Sequence, residues 1–81
     1  MTLRLQAVRV RTGSDDEDGR LVLADDALVG ILVRLSPDHG ETAGRWFLEA
    51  GFGELRHPVP AAFEDLAAAL AWIADRLRAP N

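Results

Sequence analysis

Two short polar segments hold most of the residue types that could do chemistry in this 81-residue chain. The first runs Ser14-Asp-Asp-Glu-Asp-Gly19 and is followed by Leu21 and Asp25. It places oxygen-bearing residues Ser14, Asp16, Asp18 and Asp25 at the first, third, fifth and twelfth positions of an EF-hand-type loop. Gly19 falls at the sixth position and Leu21 at the eighth. Calcium wants several hard oxygens converging on a turn, so the spacing is chemically sensible. Three departures weigh against it: Ser rather than Asp opens the loop, Asp rather than a bidentate Glu closes it, and the flanks read as strands. Acids between Gly13 and Gly19 also suit a solvated hairpin loop. The expectation is no bound metal and no cofactor, with these four residues as the calcium candidates.

The second segment is Ser36-Pro-Asp-His-Gly-Glu41, which holds His39. The other histidine is His57. Two imidazoles and the carboxylates of Asp38 and Glu41 have the composition of a His₂–carboxylate zinc site, but only if distant loops converge. Ser36 with His39 and His57 gives a hydrolase alternative, a serine with a base to activate it. No Gly-x-Ser-x-Gly elbow surrounds the serine, and three residues of Pro/Gly loop do not orient a dyad. No catalytic residue is assigned, and the chain is read as not an enzyme. Gly51-Phe-Gly53 lacks the third glycine of a dinucleotide fingerprint and reads as the turn that ends a strand.

Composition narrows the classes further. There is no Cys, Lys or Tyr, which excludes disulfides, thiolate ligands, Schiff bases and phenolic acids. All nine basic residues are Arg and thirteen residues are Ala, a bias that points to a GC-rich, bacterial source. The formal charge of −4 equals that of Asp15, Asp16, Glu17 and Asp18, so the rest of the chain is balanced. Such a balance directs the chain to neither nucleic acid nor an anionic membrane. A single-stranded nucleic-acid binder remains an alternative if Arg4, Arg9, Arg11, Arg34 and Arg45 share a sheet face with Phe47. The apolar runs fall far short of the roughly 20 residues of a spanning helix. Arginines interrupt the first eleven residues, so no signal peptide is expected, and the cytoplasm is the expected compartment.

The elements that must position these residues follow from periodicity. Alternation predicts strands over 3–11, 20–24, 27–35 and 43–50, with Asp25-Asp26 as a tight turn. In the first strand the apolar phase flips at Ala7–Val8, which calls for a bulge or for a strand serving two surfaces. Phe63, Leu66, Ala67, Leu70, Ile73, Ala74 and Leu77 recur at helical spacing and predict a helix over 62–78, with Pro60 in its first turn. The fold class is therefore α+β: one domain spanning 1–81, a four-stranded, mostly antiparallel meander with a C-terminal amphipathic helix on one face.

This layout leaves apolar residues unused. One helix covers one sheet face, assigned here to Val29, Ile31, Val33, Trp46 and Leu48, which leaves Leu28, Leu32 and Phe47 on the other. On the helix, Trp72 falls about 180° from Phe63 at about 100° per residue, beside Ala68 and Ala69. Surplus apolar surface marks interfaces, and Trp is favoured at their centres. The functional expectation is a protein-interaction or accessory module that pairs with itself, or else with another protein. The interface candidates are Trp72, Ala68 and Ala69 on the helix and Leu28, Leu32 and Phe47 on the sheet.

Overall fold

A computed structural model describes residues 1–56 and 60–78. Four strands, β1 (Leu3–Arg9), β2 (Asp18–Ala24), β3 (Ala27–Arg34) and β4 (Trp46–Gly51), form one antiparallel sheet in the order β1-β2-β3-β4, followed by helix α1 (Leu66–Arg78). The α+β meander with a C-terminal helix is thus the architecture, and each strand pairs with its neighbour in sequence. No helix among the described residues is long and apolar enough to cross a membrane.

Local chemistry explains the joints. Asp25 and Asp26 both have positive φ, 49° and 69°, as a two-residue hairpin turn between Ala24 and Ala27 requires, and Asp is among the few residues that accept it. The Asp25 side chain also accepts the Thr2 amide at 2.9 Å. Helix α1 starts four residues later than periodicity predicts. Asp65 caps it, its Oδ1 accepting the Ala68 amide at 2.8 Å, and the first helical bond runs from Ala69 to the Asp65 carbonyl. Phe63 is extended instead. It exchanges two backbone hydrogen bonds with Trp46, of 2.8 and 2.7 Å, and so extends the sheet past β4.

Two bulges decide which side chains face the helix. Val22 lies opposite Gly30 and Leu23 opposite Leu28, so Val29 is an extra residue in β3. Ile31 lies opposite Ala50 and Leu32 opposite Leu48, so Glu49 is an extra residue in β4. The helix-covered face therefore carries Leu5, Val22, Leu32, Trp46 and Leu48, with Val29 turned onto the same core. Leu32 is 0% exposed, at the centre of the core rather than on an outer face as the alternation of β3 suggests. The opposite face carries Leu21, Leu23, Ile31, Val33 and Phe47. β1 has no bulge: its register runs unbroken from Leu3 opposite Ala24 to Arg9 opposite Asp18. Its phase flip means that Leu3 and Leu5 serve the helix side while Val8 serves the other.

Between helix and sheet lies a short 3-10 turn, Gly53–Leu55. Leu55 is fully buried there, a placement worth about 1.5–3 kcal/mol. Two glycines beneath it make the approach possible. A Cβ on Gly51 would stand 2.5 Å from the Leu55 carbonyl oxygen, and one on Gly30 would stand 3.1 Å from Leu48 Cδ1. Ala69 and Ile73 close the core from the helix side.

Candidate functional site

In an antiparallel meander the β1–β2 and β3–β4 connections emerge at one end of the sheet, and the β2–β3 turn at the other. The two chemically rich segments are these two connections, so the topology brings them together. The first is tied by its own hydroxyls. The Asp16 amide donates to Ser14 Oγ at 3.2 Å, Thr12 Oγ1 donates to the Asp16 carbonyl at 3.2 Å, and the Thr12 and Ser14 hydroxyls lie 3.0 Å apart. This arrangement turns the Asp16 carboxylate inward, and the residue is only 8% exposed.

The second connection supplies the partners of that carboxylate. Asp16 Oδ1 accepts the Ser36 amide at 2.8 Å, and Oδ2 lies 2.7 Å from His39 Nε2. His39 belongs to a 3-10 segment, Pro37–Thr42, interrupted at Gly40, whose φ of 62° and ψ of −117° suit glycine. Thr42 donates its hydroxyl to the His39 carbonyl at 3.1 Å. The Ser36 amide, more than His39, holds the Asp16 carboxyl below the usual carboxylate range, against the desolvation that pushes it up. A neutral His39 must carry its proton on Nε2 to donate to Asp16, which leaves Nδ1 as an acceptor.

The same two loops also hold a repulsive contact. Asp38, as hydrogen-bond partner and as like charge, pushes the Asp15 carboxyl above its ordinary range. One loop pair thus contains an attractive carboxylate–imidazole contact and, beside it, two exposed carboxyls in conflict.

The Asp16–His39 pair borders a cleft of about 410 Å³ on the sheet face opposite the helix. Its floor is Val33, Leu35 and Phe47, and its polar wall includes Thr12, Ser14 and Thr42. Glu49, on this face by alternation with Phe47, and Ala61 and Ala62 complete the rim. The arrangement has an apolar bed for a small body and a polar edge that is acidic and hydroxylic, with no Arg among the described lining residues.

The sequence candidates divide on this geometry. Asp16 and His39 meet, though the first stood out for calcium and the second for zinc or hydrolysis. Ser36 also reaches the site, but it contacts Asp16 rather than the imidazole. Asp16 therefore stands between Ser36 and His39, whereas activation of a serine requires the imidazole in the middle. The calcium candidates do not converge. Asp16 is occupied by Ser36 and His39, Asp18 pairs with Arg20 at 2.7 Å, and Asp25 lies at the far end of β2, about 20 Å away at 3.3 Å per residue. No group of three potential metal-binding side chains occurs among the described residues. His57 lies outside the described residues.

The arginines of the nucleic-acid alternative are split. Arg4 is on the face of Phe47 and pairs with Asp26 at 3.5 Å, while Arg34 is on the helix side opposite Trp46 and Arg9 pairs with Glu17. Among the interface candidates, Ala69 and Leu32 are fully buried and belong to the core. Trp72 turns back toward Phe63, ring centroids 5.6 Å apart, with the Arg76 guanidinium 5.1 Å over its ring. The 180° separation of Trp72 from Phe63 fails because Phe63 is not helical. Ala68 and Leu28 are exposed, and Phe47 is half-buried in the cleft floor. Sequence does not single out Thr12, which the paired-loop topology could have found; alternation puts Glu49 on the face of Phe47 but gives it no role in a site.

Comparison with known proteins returns no matching family model, no matching curated protein and no matching solved structure.

Proposed function

We propose that this protein is a non-catalytic interaction module that pairs with a second copy of itself through the sheet face opposite the helix. The observation that carries the reading is the uncovered apolar surface of that face. Leu21, Leu23 and Ile31 are half-buried, Leu28 is 40% exposed, and none of the described helix lies over them. A sheet face of this composition is normally packed against another layer. Trp72, the alternative anchor, already has Phe63 and Arg76 as neighbours, so the outer helix face offers no large apolar side chain.

A second copy suits the face in area and in charge. Four strands about 4.8 Å apart and about 23 Å long give a footprint of about 400 Å² per copy. That corresponds to a weak, concentration-dependent dimer at the low end of specific interfaces. The strands carry two charged residues on this face, Arg4, already paired with Asp26, and Glu49; both lie on edge strands, so two copies meet without a like-charge conflict at its centre.

Molecular mass by light scattering tests the pairing. The parent is expected to shift from monomer toward dimer as concentration rises into the high micromolar range. Ile31→Glu, with an unchanged far-UV circular dichroism spectrum, should stay monomeric, while Trp72→Ala should still pair. A parent that remains monomeric throughout overturns the reading, as does a dimer that survives Ile31→Glu.

A further inference from the structure

We infer that the cleft beside Asp16 and His39 is a binding site for a small protonated amine with an apolar body. The inference goes beyond the pairing of two copies and needs only one chain; because Phe47 and Glu49 lie on the pairing face, a paired copy competes with the ligand, and the monomeric Ile31→Glu form is the one in which the cleft is fully open.

The charge of the lining selects the ligand. Among the described residues that line it, Asp16 and Glu49 are the carboxylates and none is an Arg. Asp16 stays ionised through the Ser36 amide and His39, so its negative charge is retained in a largely buried position. An anion would be repelled there, and a neutral ligand would leave the carboxylate field unused. An ammonium group brings three donors. The Glu49 carboxylate matches one of them, and His39 Nδ1 matches a second when the neutral ring donates from Nε2 to Asp16. The hydroxyls of Thr12 and Thr42 are further acceptors in the same wall. The floor selects the remainder of the molecule. Val33 and Leu35 offer apolar contact, and Phe47 adds a ring whose negative face attracts cations. A volume of about 410 Å³ suits a ligand of one ring or a short aliphatic chain.

Three probes of one shape separate charge from apolar contact: benzylammonium, benzyl alcohol and phenylacetate, titrated at neutral pH against backbone amide shifts. Benzylammonium should move the amides of Asp16, His39 and Phe47 saturably, benzyl alcohol should bind about tenfold more weakly, and phenylacetate should not bind. Glu49→Gln should weaken benzylammonium about tenfold, and Phe47→Leu should weaken it several-fold while leaving benzyl alcohol unchanged. Equal affinity for all three probes overturns the inference, as does full benzylammonium affinity in Glu49→Gln. Shifts confined to the exposed Asp15 and Asp38, or no shifts with any probe, also overturn it. Repeating the titration on Ile31→Glu separates the two proposals: binding retained there supports the cleft whatever the outcome for pairing, and binding lost there overturns it.

Discussion

At the scale of single residues, Asp16 does the most to hold the loop end of the sheet together. Its two oxygens join the β1–β2 connection to Ser36 and His39, twenty and twenty-three residues away in sequence. Asp16→Asn should therefore lower the thermal midpoint by several degrees at pH 7, because one buried acceptor position becomes a donor. The pH dependence has a definite sign. A carboxyl held below its ordinary range stabilises the fold fully above the unfolded value of about 3.9, and that contribution disappears as pH falls through the lower folded value. The gap in midpoint between parent and Asp16→Asn should be full at pH 6 and shrink below about pH 4. Asp15 has the opposite sign. Its raised carboxyl costs stability above its folded range and nothing once protonated. Asp15→Asn should raise the midpoint at pH 7 and leave it unchanged in acid, as thermal melts across pH would reveal.

At the scale of elements, the packing of helix on sheet depends on one close approach. The turn that carries Leu55 rests on Gly51, where an added Cβ would meet backbone atoms at 2.5 and 3.0 Å. Backbone cannot rotate away as a side chain can. Gly51→Ala should cost about 1–3 kcal/mol, read as a lower urea midpoint with unchanged slope. Gly19 is similarly confined: an added Cβ would stand 2.5 Å from Cγ2 of β-branched Val10 and 3.3 Å from the Leu32 and Val8 carbonyl oxygens, so Gly19→Ala should also destabilise the sheet. None of this could be read from alternation. The strands and the helix were legible because period-2 and period-3.6 patterns survive in single sequence, whereas strand order leaves no mark in either period, and the meander is only its simplest arrangement. The faces were not legible, because Val29 and Glu49 each insert one residue, and a single extra residue exchanges the inner and outer sets. That is why Leu32 reads as an outer residue and lies at the centre. Periodicity misplaces the helix start for a different reason: Phe63 fits the helical stripe in spacing, but Asp65 caps two residues beyond it and leaves Phe63 to pair with Trp46. Of the site, Asp16 and His39 were visible as residues and invisible as partners, since only the meander places their loops at one end.

At the scale of the whole molecule, charge and apolar surface are segregated, and this shapes the proposed association. The formal charge of −4 is matched by the Asp15–Asp18 run at the loop end, while the pairing face is centred on Leu21 and Ile31. Two copies stacked face to face with their loop ends on the same side bring two such ends within about 20 Å, given sheets packed about 10 Å apart. Glu17 is paired with Arg9 and Asp18 with Arg20, so each run keeps a net charge of −2, and two such charges repel by about 0.8 kcal/mol in unscreened water. Screening reduces this to about 0.07 kcal/mol at 0.15 M salt but only to about 0.4 kcal/mol at 0.01 M. The difference corresponds to a dimer about twofold weaker in low salt. Neutralising Asp15, Glu17 and Asp18 together, with Asp16 kept for its structural bonds, should remove most of that dependence. It should also leave the dimer at 0.15 M nearly as strong as the parent's, because hydrophobic contact rather than charge holds the face. Sedimentation equilibrium of parent and triple variant at the two salt concentrations measures both effects. A parent dimer that strengthens on lowering the salt would mean that opposite charges, not Leu21 and Ile31, join the copies.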